Sequence, residues 1–197
     1  MTAASLVLAS GSNIRRAILQ SAGVEFEVIK SSVDEDAIKR DSPSLLPAQI
    51  ACVLGAAKAC DVSSQYPNRL VLGADQTMEM DGQLFDKLSD RKYARERLLA
   101  MRGKAHSLHS GLALARSGSV VWELSLSSTL YVREFSDEFL DYYLDRAGDE
   151  LTASVGAYAY EGLGSQLFDR VEGDYFAILG LPLVPLLTAL RDQEVLV

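Results

Sequence analysis

Several places in the chain combine residue types that can handle phosphate, metal or a proton. The first is Ser10-Gly11-Ser12-Asn13-Ile14-Arg15-Arg16. It lies where the apolar run Leu6–Ala9 gives way to a predicted helix. Small residues at a strand-to-helix step leave backbone N–H groups open, and a helix N-terminus favours an anion. Two hydroxyls and two guanidinium groups add donors shaped for phosphate. Next comes Asp34-Glu35 in an acidic loop, an oxygen pair suited to Mg²⁺ beside phosphate. Lys58 is a single cation in the Ala-rich stretch Gly55–Ala59. Asp75 ends the apolar run Leu70–Ala74, a place where α/β folds often carry their sites, and a fixed carboxylate there can take a proton from water. Lys87 follows an Asp81-Gly82 turn and can meet charge developing on a phosphoryl group. Tyr158–Gly164, rich in aromatic residues and glycine, can line a pocket for a base. Taken singly, each has a plain alternative: a capped helix, a solvated charge run, an exposed lysine, an edge turn, a loop.

The elements that must position these residues can be read from periodicity. Leu6–Ala9, Phe26–Ile29 and Leu70–Asp75 are short apolar runs that predict buried strands. Ser12 is placed to cap a helix over 13–21 that Gly23 ends, and Pro47 to open one reaching about Val62. Asp81-Gly82 suits a type I′ hairpin turn. Helices are predicted over 90–101 behind Ser89, over 136–146 behind Ser136, and over 182–191. Long strands are expected over 107–116 and 120–132, joined at Ser117-Gly118-Ser119. In the second of these, Trp122, Leu124 and Leu126 alternate with polar residues, the mark of a half-buried face. A further strand is expected over 166–171. Strands alternating with helices, plus hairpin-like strands, predict a mixed α/β sheet.

The bulk numbers set limits. With 197 residues, 48% hydrophobic and 23% charged, the chain has the size and composition of one globular domain. Its formal net charge of −8 disfavours a nucleic-acid polymer as partner, while a local cation cluster can still hold a small anion. Cys52 and Cys60 lie about two helical turns apart, roughly 12 Å, too far for a disulfide. They are expected as core thiols in a reducing compartment. Met1–Ser5 and the short run after it do not fit a signal peptide, and no segment reaches membrane-spanning length. The expectation is a cytoplasmic protein without a membrane partner.

The order and spacing of the motifs add a resemblance. Leu8-Ala9-Ser10-x-Ser12-x-x-Arg15, Asp34-Glu35, Lys58-Ala59, Gly73-Ala74-Asp75, Lys87 and Gly103-x-x-His106 follow one another as in the Maf family. So do Ala157-Tyr158 with Glu161-Gly162, Val171–Tyr175 and Gly180-Leu181-Pro182-Leu183. The sequence resembles Maf proteins from about residue 6 to 190. Asn13 and Leu88 stand where the family commonly has proline. The resemblance implies a mixed, elongated α/β fold related to inosine triphosphate pyrophosphatases. It implies one Maf-like domain over 1–197, with two lobes and a cleft between them. The activity it implies is hydrolysis of a nucleoside triphosphate between the α and β phosphates, with Mg²⁺ or Mn²⁺, by a homodimer. By matching position, Asp75 is the proton acceptor. Ser10, Ser12, Arg15, Lys58 and Lys87 hold the triphosphate, and Glu35 helps to hold the metal.

Three positions bear on the base. Gln76 and Glu161 resemble the 7-methyl-GTP branch of the family, where the dTTP/UTP branch has Thr and Gln. Ile14 matches neither branch, which have Trp and Arg there. Glu161 can accept from both donors of a guanine edge and favours a positively charged methylated ring. Gln76 is expected to donate its amide to the guanine O6. The alternatives are a dTTP/UTP pyrophosphatase of the same family, or a nucleotide-binding regulator of cell division with little turnover. A pure binder, however, has no need of a general base such as Asp75.

Overall fold

The computed structural model describes residues 6–197; Met1–Ser5, which bear on the signal-peptide expectation, lie outside the described residues. Strand β1 (Leu6–Leu8) is followed by helix α1 (Asn13–Ser21) and strand β2 (Phe26–Val28). Then come α2 (Glu35–Asp41), α3 (Pro47–Gln65) and the long strand β3 (Val71–Met80), which turns into β4 (Gln83–Phe85). Helix α4 (Ala94–Met101) precedes two long strands, β5 (Ala105–Arg116) and β6 (Ser119–Val132). Helices α5 (Asp137–Ala147) and α6 (Glu150–Ala153), strand β7 (Phe168–Glu172), α7 (Tyr175–Ile178) and α8 (Leu183–Asp192) complete the chain. The strand order is β2-β1-β3-β5-β6-β7, with β4 on β3. β1 pairs in parallel with β2 and β3; β4 and β7 pair antiparallel. The mixed α/β class expected from the alternation of runs is what the chain adopts.

Local signals account for many boundaries. Ser12 caps α1, its hydroxyl accepting from Arg15 N–H, and Ser136 caps α5 through Phe139 N–H. Pro47 is the first residue of α3, and the Gln49 side chain accepts from Leu46 N–H at 2.8 Å. Asp81 and Gly82 have φ of 55° and 77°, the two left-handed residues that a type I′ turn requires. Ser117 and Gly118 repeat that pattern at the β5–β6 turn, with φ of 51° and 78°.

Other boundaries differ. The acidic loop becomes helix α2, because Asp34 accepts from Ala37 N–H and Glu35 and Asp36 sit in the first turn. β3 does not stop at Asp75 but runs on to its hairpin at Met80. Asp90, not Ser89, caps the segment before α4, whose first turn over Arg91–Tyr93 is 3₁₀. Residues 163–167 form a 3₁₀ turn, so β7 begins at Phe168. Both cysteines are free thiols and half-buried, rather than inside the core. No helix among the described residues is long and apolar enough to cross a membrane.

The chain divides into two compact units. The first holds the residues up to Gln76, with His109–Leu126 and Asp174–Val197; the second holds Thr77–Leu108 and Ser127–Gly173. In the first unit, α3 lies on the strands with almost nothing between. A Cβ on Gly73 would fall on Gly55 O and lie 2.6 Å from Ala59 N. A Cβ on Gly55 would lie 2.7 Å from Gly111 O, and one on Gly111 would collide with the Ala51 carbonyl. Ala59, Ala113 and Ala115 continue this small-residue seam, and Val7, Ala9, Val62 and Val71 form a larger apolar cluster beside it.

In the second unit His106 is buried, with Nε2 2.6 Å from the Tyr158 hydroxyl and its Nδ1 unpartnered. Phe168 packs against both rings. Burial pushes the imidazole down to about 4, so it is neutral in the folded chain.

Two expectations follow. Gly111→Ala has no room against a helix backbone and should cost about 3 kcal/mol in urea unfolding. His106 carries the second. Unfolded, it takes up a proton below about pH 6.5; folded, it resists until about pH 4. Stability should therefore fall as pH drops through that window, by up to about 3 kcal/mol. A His106→Gln variant should lack that share of the decline when the two are unfolded side by side at pH 7 and pH 4.

Candidate active site

The close seam fixes what α3 carries. Gly55 and Ala59 touch the strands, and Lys58 on the same helix is brought to β3. Its ammonium lies 2.6 Å from Asp75 Oδ1 and 2.8 Å from Glu35 Oε1. Lys58 and Asp75 are each only 9% exposed. The plain alternative of an exposed lysine on an Ala-rich helix does not hold here. Lys58 takes Oδ1 of Asp75 and, among the described residues, Oδ2 has no hydrogen bond. Glu35 is more open, its side chain 45% exposed, at the first residue of α2.

Asp61, one turn beyond Lys58 on α3, secures the loop that leads to Glu35. Its carboxylate accepts from Ser32 N–H and Ser31 Oγ, each at 2.8 Å. Those bonds hold its carboxyl below the ordinary range. Sequence reading missed Asp61, because its partners are a loop distant in the chain.

Arg15 is buried. It donates from Nε to Gly180 O at 2.9 Å, and from Nη1 to Ala74 O at 2.8 Å and Ser10 Oγ at 3.2 Å. Burial lowers its pKa, while the charges of Asp75 and Glu35 act in the other direction. It thus ties the β1–α1 loop, the residue before Asp75 and the turn at Gly180 together. Ser12 Oγ is engaged by Arg15 N–H as a helix cap, and Ile14 is half-buried on α1.

Gln76 corrects an expectation. Its amide nitrogen donates to Ala177 O at 2.9 Å, Ile178 O at 3.0 Å and Ser110 Oγ at 3.2 Å. Two backbone carbonyls can only accept, so the orientation of the amide is fixed. The donors expected to reach guanine O6 are already spent on the protein, and Oε1 is the end left free. Nothing local in the sequence signals this, because α7 lies far along the chain.

Lys87 and Glu161 belong to the second unit. Lys87 is exposed, and Arg97 steadies the loop before it by donating from both terminal nitrogens to Asp86 O at 3.2 Å. Glu161 is exposed on a loop held by the Ser154 hydroxyl, which accepts from Tyr158 N–H at 3.0 Å and donates to Tyr158 O at 2.6 Å. Tyr143 also donates to Ala157 O at 3.0 Å. Glu150 stands near Glu161. Burial first, and the Glu161 charge second, push its carboxyl up.

The first-unit cluster is therefore a carboxylate with one free oxygen, an ammonium, a second carboxylate and a buried guanidinium, at the β1–α1 step and mid-β3. Residues 5–193 match the family described as Maf-like protein. The chain belongs to the Maf family. A nucleoside triphosphate pyrophosphatase from Maricaulis maris is 61% identical over 190 residues, covering 96% of this chain and 97% of that one. One from Caulobacter vibrioides is 48% identical, over 97% of this chain and 96% of its own. A 7-methyl-GTP pyrophosphatase from Bartonella henselae is 42% identical, over 100% and 99%. Among solved structures, a HAM1 protein from Coxiella burnetii is 15% identical, with a TM-score of 0.39 over 65% of this Maf chain and 72% of its own.

Arg15→Lys tests the strut in this Maf chain. A single ammonium cannot serve Gly180 O, Ala74 O and Ser10 Oγ together, so the variant should lose about 2 kcal/mol in urea unfolding. An unchanged midpoint would mean the guanidinium does not brace the site.

Proposed function

We propose that this Maf chain is a nucleoside triphosphate pyrophosphatase acting on 7-methyl-GTP or another non-standard nucleotide, a house-cleaning enzyme that releases nucleoside monophosphate and pyrophosphate. The observation that carries the reaction is the buried contact of Asp75 with Lys58, which gives the carboxylate a counter-ion and fixes it through Oδ1, with Oδ2 left over for a water. That oxygen takes a proton from a water as the water oxygen bonds to the α-phosphorus. The bridging oxygen departs with pyrophosphate, and its new negative charge is met by cations. Ser10, Ser12, Arg15, Lys58 and Lys87 are the donors for the phosphate chain. Arg15 has mainly Nη2 to offer, since its other donors are engaged within the protein.

Charge balance supports a divalent cation. Glu35 and Asp75 cancel Lys58 and Arg15, while a triphosphate brings about four negative charges. Glu35 and Asp75 already converge on one cationic point, now filled by the Lys58 ammonium. Two carboxylate oxygens are a donor set that fits Mg²⁺ or Mn²⁺, which keeps waters and binds phosphate oxygens. Among the described residues no group of three or more His, Cys, Asp or Glu side chains is placed to enclose a metal, so a cation here would depend on substrate oxygens and water for its other ligands. A divalent cation held with the help of Glu35 would neutralise charge on the phosphates, while Lys58 would stay beside Asp75 and reach the phosphate oxygens with its remaining donor.

The choice of base rests on Glu161. Its carboxylate, with Glu150 close enough to feel its charge, favours a base with a positive ring and paired N–H donors. The relative named 7-methyl-GTP pyrophosphatase supports this reading. A homodimer in the cytoplasm belongs to the same proposal.

The test is pyrophosphate release from 7-methyl-GTP, GTP, dTTP, UTP and ITP with Mg²⁺ or Mn²⁺, beside Asp75→Asn. The expected result is release that favours 7-methyl-GTP, needs the metal, and falls by a factor of about a hundred or more in the variant. Preference for dTTP or UTP would sink the base assignment and keep the reaction. Tight nucleotide binding without release would sink the reaction and favour the regulator.

A further inference from the structure

Gln76 sits one residue past Asp75 on β3, and alternation along a strand sends the two side chains to opposite faces. Asp75 meets α3 through Lys58; Gln76 meets α7. There a single amide nitrogen has three acceptors around it, Ala177 O, Ile178 O and Ser110 Oγ, all within 3.2 Å. Ser110, on neighbouring strand β5, is fully buried and donates its own proton to Ala177 O at 2.8 Å. The hydroxyl thus gives to one carbonyl and receives from the amide that shares it. The turn these bonds hold continues to Gly180, whose carbonyl is held by Arg15 Nε. Gly180 itself has φ of 83°, and a Cβ there would lie 3.3 Å from Arg15 Nη2 and 3.6 Å from Gln76 Cδ. Gln76, Ser110 and Arg15 therefore pin one short turn from three separate elements.

We propose that Ser110 is a specificity-determining positioning residue that acts on nucleotide choice through Gln76, by holding the amide that ties β3 to the turn at Ala177–Gly180. This rests on the pyrophosphatase reading above and on the part in nucleotide choice that the Maf resemblance implies for Gln76 beside Glu161. With its nitrogen held by Ala177 O, Ile178 O and Ser110 Oγ, Gln76 has only the acceptor Oε1 to offer a nucleotide. That acceptor suits an N–H donor: guanine offers two adjacent ones, N1–H and its amine, whereas uracil and thymine offer one N3–H between two carbonyls. A threonine at position 76 has its hydroxyl two bonds short of the amide nitrogen, so it reaches neither carbonyl and has no use for Ser110 as a partner. Loss of the Ser110 hydroxyl removes one of the three acceptors around the amide and one of the three donors to the Ala177 carbonyl, which keeps Gln76 and the Gly180 N–H. The amide must then re-centre, and Oε1 moves with it.

The experiment is a double-mutant cycle of Ser110→Ala and Gln76→Thr. Values of kcat/KM are measured for 7-methyl-GTP, GTP, dTTP and UTP in all four proteins. The ratio of purine to pyrimidine values should change by about fivefold in Ser110→Ala, and Ser110→Ala should change it no further in the Gln76→Thr background. A uniform loss across nucleotides in Ser110→Ala overturns the proposal, since that is what a purely structural hydroxyl would produce. A ratio shift of the same size in both backgrounds overturns it too, because Ser110 would then act without Gln76. The Gln76 side-chain amide signals in ¹⁵N NMR should be slow to exchange in the parent and faster in Ser110→Ala; equal exchange overturns the proposed contact. A parent that prefers dTTP sinks the 7-methyl-GTP reading but leaves the cycle readable, because the cycle compares ratios. A parent with no turnover sinks the reaction; the same ratios are then taken from nucleotide dissociation constants by calorimetry, where a flat result overturns the role of Ser110.

Discussion

Helix α3 can lie on β3 and β5 only because no side chain stands between them. Gly55, Gly73 and Gly111 meet backbone to backbone, and Ala59, Ala113 and Ala115 extend the seam. The approach is steric in origin, and its consequence is electrostatic. A helix standing a methyl group further from the strands would carry Lys58 away from Asp75, and neither charge could stay buried alone. The small residues therefore set the separation at which a lysine and an aspartate, each nearly out of water, can exist as a pair. Asp61, on the same helix, uses that position to hold the loop before Glu35. One packed helix thus places an ammonium and, through the loop, a second carboxylate.

The cluster at rest is balanced within itself: two carboxylates against an ammonium and a guanidinium. Buried pairs of this kind contribute little net stability, since desolvation offsets most of the attraction. Their value lies in what they exclude. Without a ligand, Asp75 has its counter-ion and Arg15 its carbonyls, so the site tolerates its charges with few unmet hydrogen bonds. An added anion would disturb that balance, since Lys58 already answers two carboxylates and Arg15 spends most of its donors on the protein.

Much of this was legible in the residues. Ser12, Pro47, Ser136 and Asp81-Gly82 act within a few positions of themselves, and each does locally what its type predicts. Asp75 on an apolar strand and Glu35 in an acidic turn were also visible, as was the Maf pattern as a whole. What the sequence hid depends on partners far along the chain. An Ala-rich stretch reads equally as a solvent-facing or a tightly packed helix, and only Gly73 and Gly111 on distant strands decide for burial of Lys58. Asp34 reads as loop until its cap on Ala37 N–H starts α2. Gln76 reads as a donor free for a base until α7 claims its amide.

Gln76 and Arg15 share that lesson, and it alters how the site works. Both carry donors that sequence comparison hands to the substrate, and both spend most of them on backbone carbonyls between Ala177 and Gly180 or beside Asp75. A donor bonded to a buried carbonyl cannot be lent to a ligand without orphaning that carbonyl, at a cost of about 1–3 kcal/mol. A nucleotide that recruited these donors would have to return that much in new contacts before it gained any affinity. The arrangement leaves Arg15 and Gln76 holding the middle of β3 and the turn at Gly180 in one fixed relation. A carboxylate on a strand held in this way keeps its direction when its surroundings change, and fixed direction is what positioned chemistry requires.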